Sequence, residues 1–126
     1  MVCRPETQNA SVDRVTERAV FAQFRRSRAR GRHGSLQVVR LDRPDAGRPA
    51  VAYAISRRVG NAVVRNRVRR RLRESARALW AQGELPAATY LVIAGPDAAE
   101  AQMTTLRESL RRAAQATAQP AGRGPA

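Results

Sequence analysis

The chain has 126 residues and a mass of 13.8 kDa, which is the size of one domain with a single core. It carries 24 basic residues, all of them arginine, against 10 acidic ones, and its formal net charge at pH 7 is +14. Such an excess repels itself and attracts polyanions, so the composition predicts a nucleic acid as the partner, with an anionic membrane surface as the alternative.

The same composition excludes several classes of site. Much of the 43% hydrophobic fraction is alanine, so the core is small and a roomy pocket for a large cofactor is not expected. Cys3 is the only cysteine, which excludes an internal disulfide and a thiolate metal site. Because the sequence has neither a signal-peptide core nor a run of about 18 apolar residues, we expect a cytoplasmic protein without a membrane segment.

Three regions follow from composition and periodicity. Residues 1–12 have no hydrophobic period and are interpreted as a flexible N-terminal arm. A single RNA-binding domain is predicted over 13–117. Residues 118–126 are rich in Pro and Gly and are predicted to be a disordered tail.

Within the domain the pattern predicts the element order α-β-β-α-β-α. A first helix is expected over 14–26 with Asp13 as its N-cap, followed by a basic loop closed by Gly34. Two short strands rich in β-branched residues come next, LQVVRL and VAYAIS, and the Pro/Gly loop between them predicts that they pair.

The second half begins with the longest predicted helix, over 61–80, whose apolar stripe contains Val64, Val68 and Leu72. The strand TYLVIA and an amphipathic helix over 98–116 complete the domain. This order predicts an α+β fold, an α/β two-layer sandwich in which helices pack on a small sheet.

Few residues could support catalysis by the protein itself. His33 is the only histidine, and it lies among arginines, so we interpret it as a solvated or phosphate-facing side chain. The acids are scattered, and no metal-ligand or Gly-rich phosphate motif is present. A free-standing metal nuclease is therefore disfavoured.

Arginines are concentrated in one segment, with eight between Arg57 and Arg73 and no acid among them. On a helical wheel Arg65, Arg69 and Arg73 form one outward row beside a second row that contains Asn66 and Arg70. Like charges at this spacing destabilise a helix by about 0.2 to 0.5 kcal/mol per pair, so a purely structural helix would alternate signs. We therefore favour nucleic-acid binding over a merely solvated face. RNA is favoured over DNA because no helix-turn-helix, zinc module or zipper is predicted.

The two phenylalanines, Phe21 and Phe24, lie close together on the first predicted helix. Two interpretations stay open for them. They are either core residues or a stacking platform for unpaired bases beside the basic loop.

Residues 56–74, SRRVGNAVVRNRVRRRLRE, resemble the signature of the bacterial ribonuclease P protein component. In that family a Ser-basic-basic-Val-Gly-Asn turn leads into a helix with Arg-Asn-Arg, and here Arg65-Asn66-Arg67 fill that pattern. The family's element order also matches the predicted domain. The resemblance implies a fold similar to the second domain of a ribosomal small-subunit protein, with a left-handed β-α-β crossover.

The resemblance also implies a function. In this family a large RNA performs the endonucleolytic removal of the 5′ leader from precursor tRNA, and Mg²⁺ is held by that RNA and the substrate. The protein has no catalytic residue of its own. It would act as a monomer within the ribonucleoprotein, bind the catalytic RNA and the leader of precursor tRNA, and have no membrane partner.

Two groups of site residues follow by position from the resemblance. The residues that would contact the catalytic RNA are Arg57, Arg58, Asn61, Arg65, Asn66, Arg67, Arg69, Arg70 and Arg73. Those of the leader-binding cleft between the first helix and the sheet would be Val20, Phe21, Phe24 and Ser56. The rival hypotheses are a non-catalytic structured-RNA-binding protein of the same fold, ribosomal or chaperone-like, and a DNA-compacting protein.

Overall fold

The computed structural model describes residues 12–14, 18–42 and 47–117. The predicted arm 1–12, except for Val12, and the predicted tail 118–126 lie outside the described residues. The strands are β1 (Asp13–Arg14), β2 (Arg30–His33), β3 (Leu36–Leu41), β4 (Ala50–Ile55) and β5 (Thr89–Ala94). The helices are α1 (Arg18–Arg26), α2 (Ala62–Ala81) and α3 (Met103–Thr117), with short 3-10 helices at Arg57–Val59 and Pro96–Glu100.

The strands form one sheet in the order β1-β4-β5-β3-β2. Strand β5 pairs parallel to β4 and antiparallel to β3. The predicted pairing of LQVVRL with VAYAIS, which are β3 and β4, is therefore wrong, because β5 lies between these two strands and pairs with both. The apolar composition of β5 suits this central position, in which a strand is covered on both faces.

The segment 30–33, predicted as a basic loop, is an edge strand. Its residues Arg-Gly-Arg-His have low strand propensity, yet all four pair with β3. A tight turn at Gly34 and Ser35, with Gly34 at φ 61°, joins the two strands. Tertiary pairing thus overrides local propensity here.

The predicted N-terminus of α1 is also corrected. Asp13 pairs with Ala50 in the parallel ladder between β1 and β4, so it is extended and does not cap a helix. The helix begins four residues after Arg14, at Arg18. At the opposite end, the C-terminus of α1 is capped by a side chain of β2. The guanidinium of Arg30 donates to the carbonyls of Phe24 and Ser27 at 3.1 and 3.0 Å.

Helix α2 has defined signals at both ends. The Oδ1 atom of Asn61 accepts a hydrogen bond from the Val64 N–H at 3.0 Å, as an N-cap residue does. Beyond the last turn, Gly83 adopts φ 75° and its N–H donates to the carbonyl of Trp80 at 3.1 Å.

The main core lies between the sheet and helices α2 and α3. The predicted inner stripe of α2 is confirmed, since Val68, Leu72 and Leu79 are each no more than 1% exposed. Leu106 and Leu110 of α3 pack against the same core. The α+β class predicted from the element order is confirmed by this arrangement.

A second, smaller core lies on the opposite face of the sheet, beneath α1. Val20 and Phe24 of α1 pack there against Val39 and Ala52. Strands β4 and β5 are parallel neighbours joined through α2, which is the β-α-β unit whose left-handed sense the resemblance implies. That handedness stays a prediction.

Candidate nucleic-acid interface

The exposed side of α2 forms a cationic surface, which we call the arginine face. It comprises the residues of α2 that are accessible on the side away from the core, namely Arg65, Asn66, Arg69, Arg70, Arg73 and Arg77. Asn66, Arg70 and Arg73 are exposed, while Arg65 and Arg69 are half-buried. Both predicted rows therefore reach solvent, and the stems of one row pack partly along the helix.

The arginine face is not neutralised by acidic neighbours. Within the described residues no carboxylate lies within 4.0 Å of an arginine of α2. The contacts of these side chains are with neutral groups: Arg69 donates to Asn66 Oδ1 at 2.8 Å, and Arg71 donates to the Ala101 carbonyl at 3.1 Å. A helix with this much unbalanced positive charge is suited to bind a polyanion.

Four buried polar side-chain atoms of α2 lack partners in the described part of the chain, namely Arg65 Nε, Arg67 Nε, Ser75 Oγ and Trp80 Nε1. The Nε atoms of Arg65 and Arg67 are inaccessible and form no hydrogen bond in the described part of the chain. An unpaired buried donor costs about 1 to 3 kcal/mol. Unpaired donors of this kind lower the stability of the helix.

The turn before α2 extends the cationic surface. Arg57 and Arg58 are exposed in the 3-10 helix that follows β4. Ser56 Oγ accepts a hydrogen bond from the Arg58 N–H at 3.0 Å, which fixes the turn. Gly60 permits close packing, since a Cβ there would lie 2.8 Å from the Cβ of Val64. The predicted RNA-binding residues thus lie along one helix and its leading turn, but Arg67 is half-buried and is not part of the arginine face.

The residues predicted for the leader cleft are divided by their burial. Val20 is 4% exposed and Phe24 is 2% exposed, because both form the small core beneath α1. Phe21 is 40% exposed, and its ring lies edge-on to Phe24 with centroids 6.0 Å apart. Of the two interpretations left open for these rings, burial favours a core role for Phe24, and Phe21 is the accessible ring of α1.

Part of the sheet face that carries α1 is left open. The strand registers place Arg32, Gln37, Ile93 and Ala54 in one row across β2, β3, β5 and β4. Arg32 and Ala54 are exposed, and the two between them are half-buried. We call these four residues the open row. Sequence reasoning missed this row, because only the strand order brings its members together.

Phe21 lies on the flank of α1 that faces the open row. Gln23, on the opposite flank of the helix, lines a depression with Leu41 at the far end of β3. Val20 and Phe24 mark the side of α1 that packs on the sheet, and Phe21 and Gln23 project to opposite sides of it. We infer that Phe21 faces the half of the sheet away from Leu41. That half contains the open row.

Tyr53 and Tyr90 lie in strands, as predicted, and neither phenol is suited to proton transfer near neutral pH. Tyr90 is 1% exposed and donates to the Pro86 carbonyl at 2.7 Å. Burial raises the pKa of both Tyr90 and Tyr53 to about 12, and the nearby cations Arg73 and Arg77 act in the opposite direction at Tyr53. Both phenols are therefore protonated near neutral pH.

The titratable side chains do not converge on a metal site. Within the described ranges, no group of three or more His, Cys, Asp or Glu side chains could hold a metal ion. A ring nitrogen of His33 lies 3.4 Å from Ser109 Oγ, and Asp42 forms an ion pair with Arg40 at 2.8 Å. Among the described helices, none combines the length and hydropathy that crossing a bilayer requires.

Comparison with known proteins identifies the family. The family model described as Ribonuclease P matches residues 10–118. The chain is 39% identical over 106 residues to the ribonuclease P protein component of a Nocardioides strain, covering 82% of this chain and 89% of that relative. It is 42% identical over 93 residues to the corresponding protein of Thermus aquaticus. That match spans 74% of this chain but only 52% of the relative, which is longer.

Solved structures show the same fold. A Staphylococcus aureus RNase P protein, a mutant described as defective in mRNA degradation activity, superposes with a TM-score of 0.70 at 20% identity, over 81% of this chain and 85% of that one. The RNase P protein of Thermotoga maritima gives a TM-score of 0.67 at 20% identity, over 78% of this chain and 91% of that one. The family model and the curated relatives together show that the chain belongs to the ribonuclease P protein family.

Proposed function

We propose that the chain is the protein subunit of a ribonuclease P ribonucleoprotein, which removes the 5′ leader of precursor tRNA to give the mature 5′ end. The observation that carries the proposal is the arginine face, which has no carboxylate partner among the described residues and lies on the helix that bears the family signature. Catalysis belongs to the RNA in this proposal, and the protein acts by binding and positioning.

The arginine face is the proposed contact with the catalytic RNA. Guanidinium groups can donate two parallel hydrogen bonds to phosphate oxygens, and Asn66 can bond a base edge or a ribose hydroxyl. The proposed contact residues are those given by position in the signature, Arg57, Arg58, Asn61, Arg65, Asn66, Arg67, Arg69, Arg70 and Arg73. Asn61 has a second role, because its Oδ1 caps α2.

The open row and its surroundings are the proposed contact with the leader. The leader is single-stranded, and single strands bind surfaces that combine cations with an aromatic ring on which a base can stack. Phe21 supplies the accessible ring, and Ser56 lies where β4 leads into the basic turn. Val20 and Phe24 support this surface from within the small core.

The metal requirement is assigned to the RNA side of the complex. The described residues of the protein gather no metal-ligand cluster, so they do not fit a resident Mg²⁺ ion. Mg²⁺ held by the RNA and the substrate would supply the activated water. The protein would increase the affinity for the anionic substrate by reducing charge repulsion. We place this complex in the cytoplasm, with one copy of the protein.

The experiment that tests the proposal is reconstitution. Purified protein is added to a bacterial ribonuclease P RNA and precursor tRNA at low Mg²⁺, and leader release is scored. We expect cleavage at the mature 5′ end to rise above the level of the RNA alone, and the protein alone to be inactive. If the folded protein binds RNA but leader release stays at the level of the RNA alone, the chain is a non-catalytic RNA-binding protein of the same fold.

A further inference from the structure

The first turn of α2 carries an exposed apolar side chain. Val63 is the second residue of the helix and is 72% exposed, the largest exposure of any large hydrophobic residue that the structure describes. Single exposed hydrophobic residues are common on protein surfaces, so the exposure of Val63 is informative only through its surroundings.

The surroundings of Val63 are strongly cationic. Arg57 and Arg58 are exposed in the turn directly before α2, and Arg70 is exposed two turns after Val63 on the same side of the helix. An isopropyl group has no attraction for a phosphate, so it adds nothing to a surface that binds polyanions by charge alone. Val63 therefore interrupts a surface whose charged groups suit phosphates.

A second uncharged side chain lies beside Val63. Asn66 is exposed one turn later on the same side of α2. Its Oδ1 atom accepts a hydrogen bond from Arg69 at 2.8 Å, and its amide N–H groups are left as donors. We call Val63 and Asn66 the neutral patch. An apolar group beside a hydrogen-bond donor matches a nucleoside, which offers a ring face, ring edges and a ribose, better than it matches a phosphate.

The neutral patch stands on a fixed part of the helix. Asn61 caps α2 by accepting from the Val64 N–H at 3.0 Å, and a Cβ at Gly60 would lie only 2.8 Å from the Cβ of Val64. A valine side chain in a helix has one strongly preferred rotamer, so packing a ligand against Val63 costs little conformational entropy. Val63 is therefore a rigid apolar contact.

We propose that Val63 packs against an accessible nucleoside of the catalytic RNA, and that this contact makes the arginine face selective for folded RNA over other polyanions. The inference rests on the proposed function and deepens it, because it names the part of the RNA that the surface recognises. The arginines bind phosphates, which every nucleic acid offers with the same chemistry. The neutral patch requires a nucleoside at a fixed position among those phosphates.

The test compares binding of the full chain to two polyanions, a bacterial ribonuclease P RNA and heparin, which carries sulfates but no nucleosides. Val63→Ala should bind the RNA about fivefold more weakly, because two methyl groups are removed from a partly buried contact. Its affinity for heparin should not change. The slope of log affinity for the RNA against log salt should also stay the same, because no charge is lost. Alanine has a higher helix propensity than valine, so the loss cannot come from a weaker helix.

Three further variants control the result. Val63→Thr keeps the branched shape but replaces a methyl group with a hydroxyl group, and should bind the RNA about threefold more weakly. Thr104→Ala shortens the exposed second residue of α3, the matched position, and should bind like the wild type. Arg70→Ala should weaken binding to both polyanions and lower the salt slope by about 0.7 to 0.9. Circular dichroism of each variant checks that it is folded.

Several results would overturn the inference. Unchanged RNA affinity in Val63→Ala would make Val63 an ordinary surface residue. Equal losses for RNA and heparin would show an effect on the arginines and not on a nucleoside contact. Full RNA affinity in Val63→Thr would show that the contact is not apolar. If the wild-type protein stimulates leader release in these cases, only this inference fails, whereas a wild-type protein that neither binds the RNA nor stimulates cleavage contradicts the proposed function itself.

Discussion

Helices α2 and α3 pack side by side on the same face of the sheet, yet they use arginine in different ways. On α3 the carboxylate of Glu108 binds both Arg111 and Arg112, at 2.5 and 2.6 Å, so two of the three arginines of this helix have a carboxylate partner. On α2 seven arginines face a single acid, Glu74, and none forms an ion pair in the described part of the chain. The comparison teaches that counter-charge distinguishes the proposed binding helix α2 from α3.

The largest expected effect comes from removing part of the arginine face. Changing Arg65, Arg69 and Arg73 together to Ala should weaken binding of the catalytic RNA roughly a hundredfold, since three charged contacts are lost. The slope of log affinity against log salt should decrease by about 0.7 to 0.9 for each phosphate contact removed. Binding measured over a salt series checks both values.

The matched control removes the same number of charges from α3. Changing Arg107, Arg111 and Arg112 to Ala should leave the salt slope close to that of the wild type, because two of these arginines are already paired with Glu108. Equal slopes for the two triple variants would show that net charge alone governs binding, and the contrast between the helices would be lost.

A change on the α3 side should affect stability and not RNA binding. Gly31→Ala places a Cβ against the Ala113 carbonyl, and such overpacking costs roughly 1 to 3 kcal/mol. A thermal unfolding curve should show a clearly lower Tm, while the folded fraction binds RNA normally. Gly47→Ala is the control, since its Cβ would meet no atom within 4 Å. Equal Tm values for the two variants would contradict the close approach of β2 to α3.

Asn61 allows the two roles of α2 to be separated at one residue. Asn61→Ala removes the N-cap and should destabilise the protein by about 1 kcal/mol. Asn61→Ser keeps a capping oxygen but loses the amide donors, so it should restore stability. If the RNA affinity recovers in Asn61→Ser, Asn61 acts only as the helix cap. If the affinity stays low in Asn61→Ser although stability is restored, Asn61 contacts RNA as well.

The smallest effect is a pH dependence on α3. Hydrogen bonds from Arg111 and Arg112 lower the pKa of Glu108 from 4.5 to about 2. A carboxyl whose pKa is lower in the folded state stabilises the fold above its unfolded pKa and loses that contribution as pH falls through its folded pKa. The difference in stability between the wild type and Glu108→Gln should therefore be constant above about 4.5 and shrink towards pH 2. Chemical denaturation at several pH values measures it, and a difference that does not change with pH would argue against the pairing.

The features that the sequence predicted are those with a local signal. The stripe Val64, Val68 and Leu72 has the helical period, and the burial of Val68 and Leu72 was predictable from spacing alone, while Val64 is half-buried at its start. The excess of arginine over acid in α2 is likewise visible in the sequence. The insertion of β5 between β3 and β4 has no local signal, because strand order depends on contacts between residues far apart in the chain.

The candidate site was predictable only in part for the same reason. The signature residues of α2 and its turn lie close together in the sequence and in space. The open row joins Arg32, Gln37, Ala54 and Ile93 from four strands, so it required the registers. The roles of Phe21 and Phe24 depend on which side of α1 meets the sheet, and burial separates them at 40% and 2% exposure.

Strand β2 is the last strand on its side of the sheet, in the part of the chain that the structure describes. A strand in this position exposes unpaired N–H and C=O groups, which can pair with another chain and begin aggregation. Two of the four residues of β2 are Arg30 and Arg32, so a second copy that approached this edge would bring like charges together. These two arginines therefore protect the open sheet edge from self-association.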